Sequence, residues 1–182
     1  MSEVLTRNRI IGIVVALSIF GVDQLIKWWV VGPLQLRERG VIELIGIFDL
    51  RWTQNFGVSL GMFEATTTEM RWVLVAVTGL IAAVVTIWML REKVLGEILG
   101  LALILGGALG NIRDRFNLGY VIDYADLHFG EFRPFLIFNV ADAAITIGVV
   151  IILVRSFFFS DNDDEVSDEP IDQTAEKPAE TL

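Results

Sequence analysis

Apolar residues along the chain are concentrated in four long runs that are separated by more polar stretches. A helix needs about 20 residues to cross a hydrocarbon core of roughly 30 Å, and the runs approach or reach that length. They occupy residues 10–31, 72–90, 94–109 and 135–154, and the third is the shortest and contains Glu97. The pattern predicts a mainly α-helical membrane protein with four transmembrane helices.

The segment between the first two runs has a different pattern. Residues 41–53 are rich in β-branched and aromatic residues, Asn55-Phe56-Gly57 is typical of a turn, and residues 58–63 form a second apolar piece. We therefore expect a small extracytoplasmic β cradle that lies on the membrane face. Threonines at positions 66–68 provide an N-cap region for the second helix.

Glycines in and just after the third run indicate close helix packing. Gly96 and Gly100, and likewise Gly106 and Gly110, have the GxxxG spacing that lets helices approach one another in lipid. We expect these glycines to bring the third helix close enough to its neighbours for polar side chains to meet.

Composition supports a membrane protein and divides the chain into two parts. Of 182 residues, 54% are hydrophobic, and the mean hydropathy is +0.61. The net charge of −9 comes almost entirely from the end of the chain, where nine acids stand against Lys177 after residue 159. We expect a four-helix membrane domain over 1–159 and an acidic disordered tail over 160–182. No basic patch indicates a nucleic-acid partner.

The residue types present limit the chemistry. The chain has no cysteine, which excludes thiol catalysis, and its only histidine is His128, which excludes a His-rich zinc site. Lys27 and Ser59 could in principle form a serine–lysine dyad, but nothing else positions them. Asp126 and Glu131 share a predicted loop with His128, where acids are usually solvated. We expect no metal and no cofactor.

Cationic residues predict the orientation. Four spans put both termini on the same side of the membrane, and the positive-inside rule assigns that side to the cytoplasm. The residues that carry this assignment are Arg7, Arg9, Arg91, Lys93 and Arg155.

A carboxylate in the fourth run is the strongest indication of function. An ionisable side chain in a membrane helix costs on the order of 2.5–3.5 kcal/mol, so Asp142 indicates a functional site. Its best candidate partner is Asp123, which follows a β-like apolar strip. Two carboxyls about 3 Å apart cannot both ionise cheaply, so one keeps its proton, as in aspartic hydrolases. Asn139 lies on the same helix face as Asp142 and could orient it or contact a substrate.

Two further polar pairs have helical spacing. Asn111 and Arg115 are four residues apart, beside Asp114, where the third helix leaves the bilayer. Their spacing supports a functional role and a structural role equally. Asp23 and Lys27 are also four apart, in the order that favours a helical ion pair, and a structural role near the interface is the better interpretation.

Taken together, five segments resemble the bacterial lipoprotein signal peptidase, or signal peptidase II, over about residues 10–155. Each motif alone is modest, but all five in order on a four-span chain are specific. The segments are DQLIK at 23–27, NFGVSLG at 55–61, GGALGNIRDR at 106–115, GYVID at 119–123 and FNVAD at 138–142.

The resemblance implies an aspartic endopeptidase of the bacterial inner membrane, with four transmembrane helices and a β cradle. It implies cleavage of prolipoproteins before a diacylglyceryl-modified cysteine, by a monomer in contact with membrane lipids. The catalytic pair would be Asp123 and Asp142. The substrate-binding or site-supporting residues implied by the family motifs are Asn55, Gly57, Asn111, Arg115, Asn139, Ala141, Asp23 and Lys27.

Two positions depart from the family pattern, and two other functions are conceivable. Arg113 stands where an apolar residue is usual, and Ala143 stands where serine is common. A proton-coupled carrier would use Asp142, Asp23 and Lys27 as a relay, although the chain has no evident inverted repeat. In a membrane scaffold the acids would merely pair with cations.

Overall fold

The computed structural model describes residues 2–57 and 67–158. Its helices are α1 Ser2–Val31, the short α2 Leu36–Arg39, α3 Thr68–Arg91, α4 Leu95–Leu118 and α5 Val140–Phe158. Four of them, all except α2, are long and apolar enough to cross a membrane. The predicted four-span, mainly α architecture is therefore confirmed. Ser59, the apolar piece at 58–63 and the acidic tail at 160–182 lie outside the described residues.

Helix α4 is the centre of the bundle, and α1, α3 and α5 pack around it. Buried side chains of α1, α3 and α4 form one apolar cluster, which includes Ala16, Ala82, Met89, Ile98, Leu101 and Leu105. The outward faces of the long helices carry exposed large apolar residues, as expected of surfaces in contact with lipid.

Small residues let the helices pack this closely, as the glycine spacing predicted. A Cβ atom on Gly148 of α5 would lie 2.5 Å from the carbonyl oxygen of Gly100 in α4. Similarly, a Cβ on Gly107 would lie 2.4 Å from the carbonyl oxygen of Ala141, and one on Gly106 would lie 2.5 Å from that of Ala16. Because backbone atoms occupy these positions, only glycine fits without a shift of the helices.

The predicted sheet is present and has three antiparallel strands, β1 Val41–Ile45, β2 Phe48–Asn55 and β3 Val121–Leu127, in that order. The third strand comes from the segment after α4, so the sheet joins two distant parts of the chain. The register of β2 and β3 shifts between Leu50 and Thr53, and Thr53 is then opposite Asp123. Buried residues of the sheet pack with the end of α1 in a second cluster, which includes Val30, Leu36, Ile122 and Tyr124.

Helix ends differ from the apolar runs at several points. Helix α4 continues to Leu118, whereas the run ends at 109, because Asn111 and Asp114 are buried with polar partners and do not need water. Gly119 follows the last helical residue. With a φ of 88° it adopts the left-handed conformation that commonly terminates a helix. Helix α5 begins at Val140 and not at 135, because Phe138 is bridged to Ala125 of β3.

The start of α3 follows the predicted cap. Thr67 precedes the first helical residue, and its side chain accepts a hydrogen bond from the Met70 amide at 3.3 Å. This satisfies one of the backbone donors that a helix N-terminus leaves unpaired.

Replacement of Gly148 by alanine should destabilise the protein by about 1–3 kcal/mol, because the added methyl group overlaps the backbone of α4. Gly79→Ala is the matched control, since nothing lies within 4 Å of a Cβ at this position in α3. That change should be neutral or stabilise by about 0.5–1 kcal/mol, the usual gain for glycine to alanine within a helix. Thermal unfolding of both variants in detergent measures the difference. Equal midpoints would contradict the proposed packing.

Candidate active site

The two predicted carboxylates come from different kinds of structure. Asp123 lies in β3 and is only 2% exposed, whereas Asp142 lies in the first turn of α5 and is half-buried. With a rise of about 1.5 Å per residue, Asp142 is within about 5 Å of the start of the helix. The pair therefore lies at one end of the helix bundle, beside the sheet.

Asn139 joins the two carboxyls. Its Nδ2 donates a hydrogen bond to Oδ1 of Asp123 at 2.7 Å, and its Oδ1 accepts one from the backbone amide of Asp142 at 2.9 Å. The backbone amide of Asn139 in turn donates to Oδ2 of Asp142 at 3.2 Å. These reciprocal bonds form a capping box at the N-terminus of α5. One residue therefore starts the helix and holds both acids.

The second oxygen of each carboxyl also accepts an amide N–H. Asn55, at the end of β2, donates from Nδ2 to Oδ2 of Asp123 at 3.0 Å. Asn111, in α4, donates from Nδ2 to Oδ1 of Asp142 at 2.8 Å. Each carboxyl is therefore held at both oxygens by uncharged donors from separate elements, which fixes its position.

Arg115 supports the turn that carries Asn55. Its Nη2 donates to the carbonyl oxygen of Gly57 at 2.8 Å, and the Gly57 amide donates to Oδ1 of Asn55 at 3.0 Å. The predicted turn over residues 55–57 is therefore tied to α4. The bond from Gly57 also sets the amide of Asn55 so that its NH2 group faces Asp123.

The Asp23–Lys27 pair is also present, and it lies directly behind Asn111. The Nζ of Lys27 is 2.9 Å from Oδ2 of Asp23, 2.7 Å from Oδ2 of Asp114 and 3.2 Å from Oδ1 of Asn111. Oδ1 of Asp23 accepts a hydrogen bond from the Ala141 amide at 3.1 Å. All ten predicted site residues are thus connected through this end of the bundle.

Two residues of this network were not among the predicted site residues. Asp114 is 3% exposed, and its carboxylate accepts from Gln24 Nε2 at 3.2 Å and from the Ile122 amide at 3.3 Å besides pairing with Lys27. The signal in the sequence was their spacing, since Gln24 lies beside Asp23 and Asp114 is three residues after Asn111. Arg113 is exposed and donates a hydrogen bond to Oε1 of Gln24 at the outer edge of this network.

Asp126 has a structural role, as expected for these acids, but it lies in a strand and is not a solvated loop residue. It belongs to β3 and is 0% exposed, because Arg51 Nε at 2.9 Å and Arg133 Nε at 3.2 Å pair with its Oδ2. His128 follows the end of β3, where its Nε2 lies 3.0 Å from Oδ2 of Asp49. Glu131 is exposed, as expected.

The surroundings of Asp123 favour its protonated form. Burial raises the pKa of Asp123 to about 7, and the neighbouring charge of Asp142 adds to that increase. Hydrogen bonds from Asn55 and Asn139 oppose the shift but do not cancel it. The carboxyl of Asp123 is therefore protonated below about pH 7, far above the range of an ordinary aspartate.

A family model described as Signal peptidase (SPase) II matches residues 15–158 of the chain. The lipoprotein signal peptidase of Sphingopyxis alaskensis is 52% identical over 159 residues, which cover 87% of this chain and 92% of that relative. The lipoprotein signal peptidase of Rhizorhabdus wittichii is 52% identical over 156 residues, which cover 86% of this chain and 91% of that relative.

Solved structures support the fold. Two structures described as bacterial membrane enzymes match with TM-scores of 0.73 and 0.69, each at 24% sequence identity. The first match covers 87% of this chain and 94% of the solved chain. The second match covers 82% of this chain and 93% of the solved chain.

Two substitutions of Asn139 should separate its roles. Asn139→Ser keeps a side-chain oxygen that can cap α5, whereas Asn139→Ala removes both the cap and the amide donor to Asp123. We expect the alanine variant to be less stable than the serine variant by about 1 kcal/mol, the usual contribution of an N-cap. Chemical denaturation of the two purified variants in the same detergent measures this difference. A serine variant no more stable than the alanine variant would contradict the capping role.

Proposed function

The chain belongs to the signal peptidase II family, and on that premise we propose that it is an aspartic endopeptidase that removes signal peptides from prolipoproteins. The observation that carries the proposal is the pair of carboxyls, Asp123 and Asp142, held together by Asn139 at one end of a membrane-spanning bundle. Two acids in such proximity that share a proton can act as general base and general acid in peptide hydrolysis.

The two acids have different roles at rest. Asp123 is almost completely buried, which disfavours its charged form, so it holds the proton. Asp142 lies in the first turn of α5, where the helix dipole and two N–H donors stabilise a negative charge. Asp142 is therefore the base, and Asp123 is the acid.

The reaction then follows from these protonation states. Asp142 takes a proton from a water molecule, and the resulting hydroxide attacks the carbonyl carbon of the scissile bond. Asp123 donates a hydrogen bond to the developing oxyanion, which lowers the energy of the tetrahedral intermediate. Asp142 then gives the proton that it took from water to the leaving nitrogen as the C–N bond breaks, and the pair returns to its singly protonated state. Asn55, Asn111 and Asn139 hold the carboxyls throughout.

The depth of the pair suits a lipid-modified substrate. Acyl chains on a cysteine stay within the bilayer, so the peptide bond just before that cysteine lies near the membrane surface. Asp142 in the first turn of a membrane-spanning helix lies at a similar level. We therefore propose cleavage before a diacylglyceryl-modified cysteine by a monomeric enzyme surrounded by membrane lipids.

The distribution of cations supports an orientation in the inner membrane. Arg7, Arg91 and Arg155 lie at the end of the bundle opposite the sheet, which we assign to the cytoplasm together with both termini. The sheet and the acid pair then face the periplasm, the side on which signal peptides are removed.

The test of the function is cleavage of a purified prolipoprotein with and without the diacylglyceryl group, by the enzyme in liposomes. We expect cleavage of the lipidated precursor just before the modified cysteine and little cleavage of its unlipidated twin. Comparable turnover of the two would refute the proposed substrate. No cleavage of either by an inserted, folded protein would refute the proposed function.

Asp123→Asn and Asp142→Asn should each lower kcat on the lipidated precursor by on the order of 10²-fold or more, because each removes a group that transfers protons. Glu131→Gln is the matched control, since it removes the charge of an exposed acid in the loop between β3 and α5. It should cleave at the wild-type rate. Substantial processing by either asparagine variant would exclude that residue from the catalytic pair.

The pH dependence of activity and of stability should both reflect the titration of Asp123. Its pKa is 3.8 in an unfolded chain and about 7 here, so folding is favoured at low pH and this contribution is lost as the pH rises toward and through about 7. We expect kcat/KM to fall above about pH 7 as Asp123 loses its proton. The thermal midpoint should fall as the pH rises from about 4 to about 7 and level off above that, and it should fall by less in Asp123→Asn. A midpoint whose pH dependence is unchanged in that variant would contradict the assignment.

A further inference from the structure

Lys27 is buried behind the acid pair, where it is only 2% exposed. Its ammonium nitrogen lies 3.2 Å from Oδ1 of Asn111, and Nδ2 of the same amide donates to Asp142 at 2.8 Å. Given the proposed function, we infer that Lys27 is a positioning residue, which fixes the amide of Asn111 so that its NH2 group faces the catalytic base.

The inference follows from the shape of an asparagine side chain. The oxygen and nitrogen of an amide have nearly the same size, so packing alone hardly distinguishes the two orientations. An ammonium group donates hydrogen bonds and accepts none. With Lys27 on one side, a flipped Asn111 would direct its NH2 group at a cation and its oxygen at Asp142. Both contacts would be repulsive, so only one orientation persists.

Asn139 acts on the same amide, but more weakly. Its Nδ2 lies 3.3 Å from Oδ1 of Asn111 and 2.7 Å from Oδ1 of Asp123. The shorter of these bonds is directed to Asp123. The charged donor from Lys27 is therefore the main constraint on Asn111, because hydrogen bonds from charged groups are roughly twice as strong as neutral ones.

The surrounding residues hold Lys27 in this position as a cation. Asp23 at 2.9 Å and Asp114 at 2.7 Å pair with the ammonium group, which leaves one of its three N–H bonds for Asn111. Gly110 allows this arrangement, because a Cβ there would lie 2.5 Å from Oδ2 of Asp23. Buried ion pairs of this kind add little stability compared with apolar packing. Their retention beside the site fits a positioning role.

The experiment is a double-mutant cycle between Lys27→Met and Asn111→Leu, with kcat measured against pH on the lipidated precursor. Lys27→Met should lower kcat about 10- to 100-fold, the range for a lost hydrogen bond to a charged group, with KM little changed. The lower limb of its pH profile should move to higher pH, because the ionised base loses a donor. Asn111→Leu should have a similar effect, and the double variant should lose little more.

Two further variants separate positioning from folding. Lys27→Met leaves two buried acids with one cation removed, so Lys27→Met/Asp114→Asn is made as well to remove one of those charges. It should fold and still show the shifted pH profile. Arg51→Gln is the matched control, since it removes an ion pair from the fully buried Asp126 on β3. That variant should lose stability and keep the wild-type pH profile.

The inference would be overturned by losses in Lys27→Met and Asn111→Leu that simply add, or by a wild-type pH profile in Lys27→Met/Asp114→Asn. Failure of both Lys27 variants to fold would also overturn it, because Lys27 would then be a purely structural residue. Absence of cleavage by the wild-type enzyme is a separate result, which refutes the proposed function and this inference with it.

Discussion

Two carboxyls in a poorly solvated place require hydrogen-bond donors, and Asn139 supplies donors to both. Its side chain binds Asp123, its backbone amide binds Asp142, and its Oδ1 caps the helix that carries Asp142. A displacement of this residue would therefore alter the start of α5 and the relative position of the acids together. The coupling links the stability of one helix end to the geometry of the proposed chemistry.

The rest of the fold brings donors to that point from separate parts of the chain. Helix α4 provides Asn111, and glycines such as Gly107 let α5 approach it closely enough for Asn111 to reach Asp142. The sheet provides Asp123 and Asn55 on adjacent strands. The cations Lys27 and Arg115 contact neither acid by a hydrogen bond of their own. They hold Asn111 and the turn of Asn55, and so act one layer behind the carboxyls.

This arrangement also makes the two acids unequal. Asp123 is enclosed by the sheet and by the loop before α5, so burial favours its protonated form. Asp142 is more exposed and lies at a helix N-terminus, where the Asn139 amide and the Asn111 side chain donate to it. The proposed assignment of the proton to Asp123 rests on this difference in burial between a strand and a helix end. The same geometry places both acids at one end of the bundle of membrane-span-length helices, which is the level that the proposed lipid-anchored substrate requires.

The four membrane-span-length helices follow from the chain's apolar runs alone, because runs of about that length match the thickness of a hydrocarbon layer. The sequence also predicted the acid pair and eight residues around it, because their types and spacing follow a family pattern, and the structure connects all ten. The three-dimensional structure was needed to find that Asp114 and Asp126 are buried, that α4 continues past 109 and that Asn139 links both acids. The reason is that burial and pairing depend on partners far away in the chain, such as Lys27 and Arg51, which local patterns do not specify.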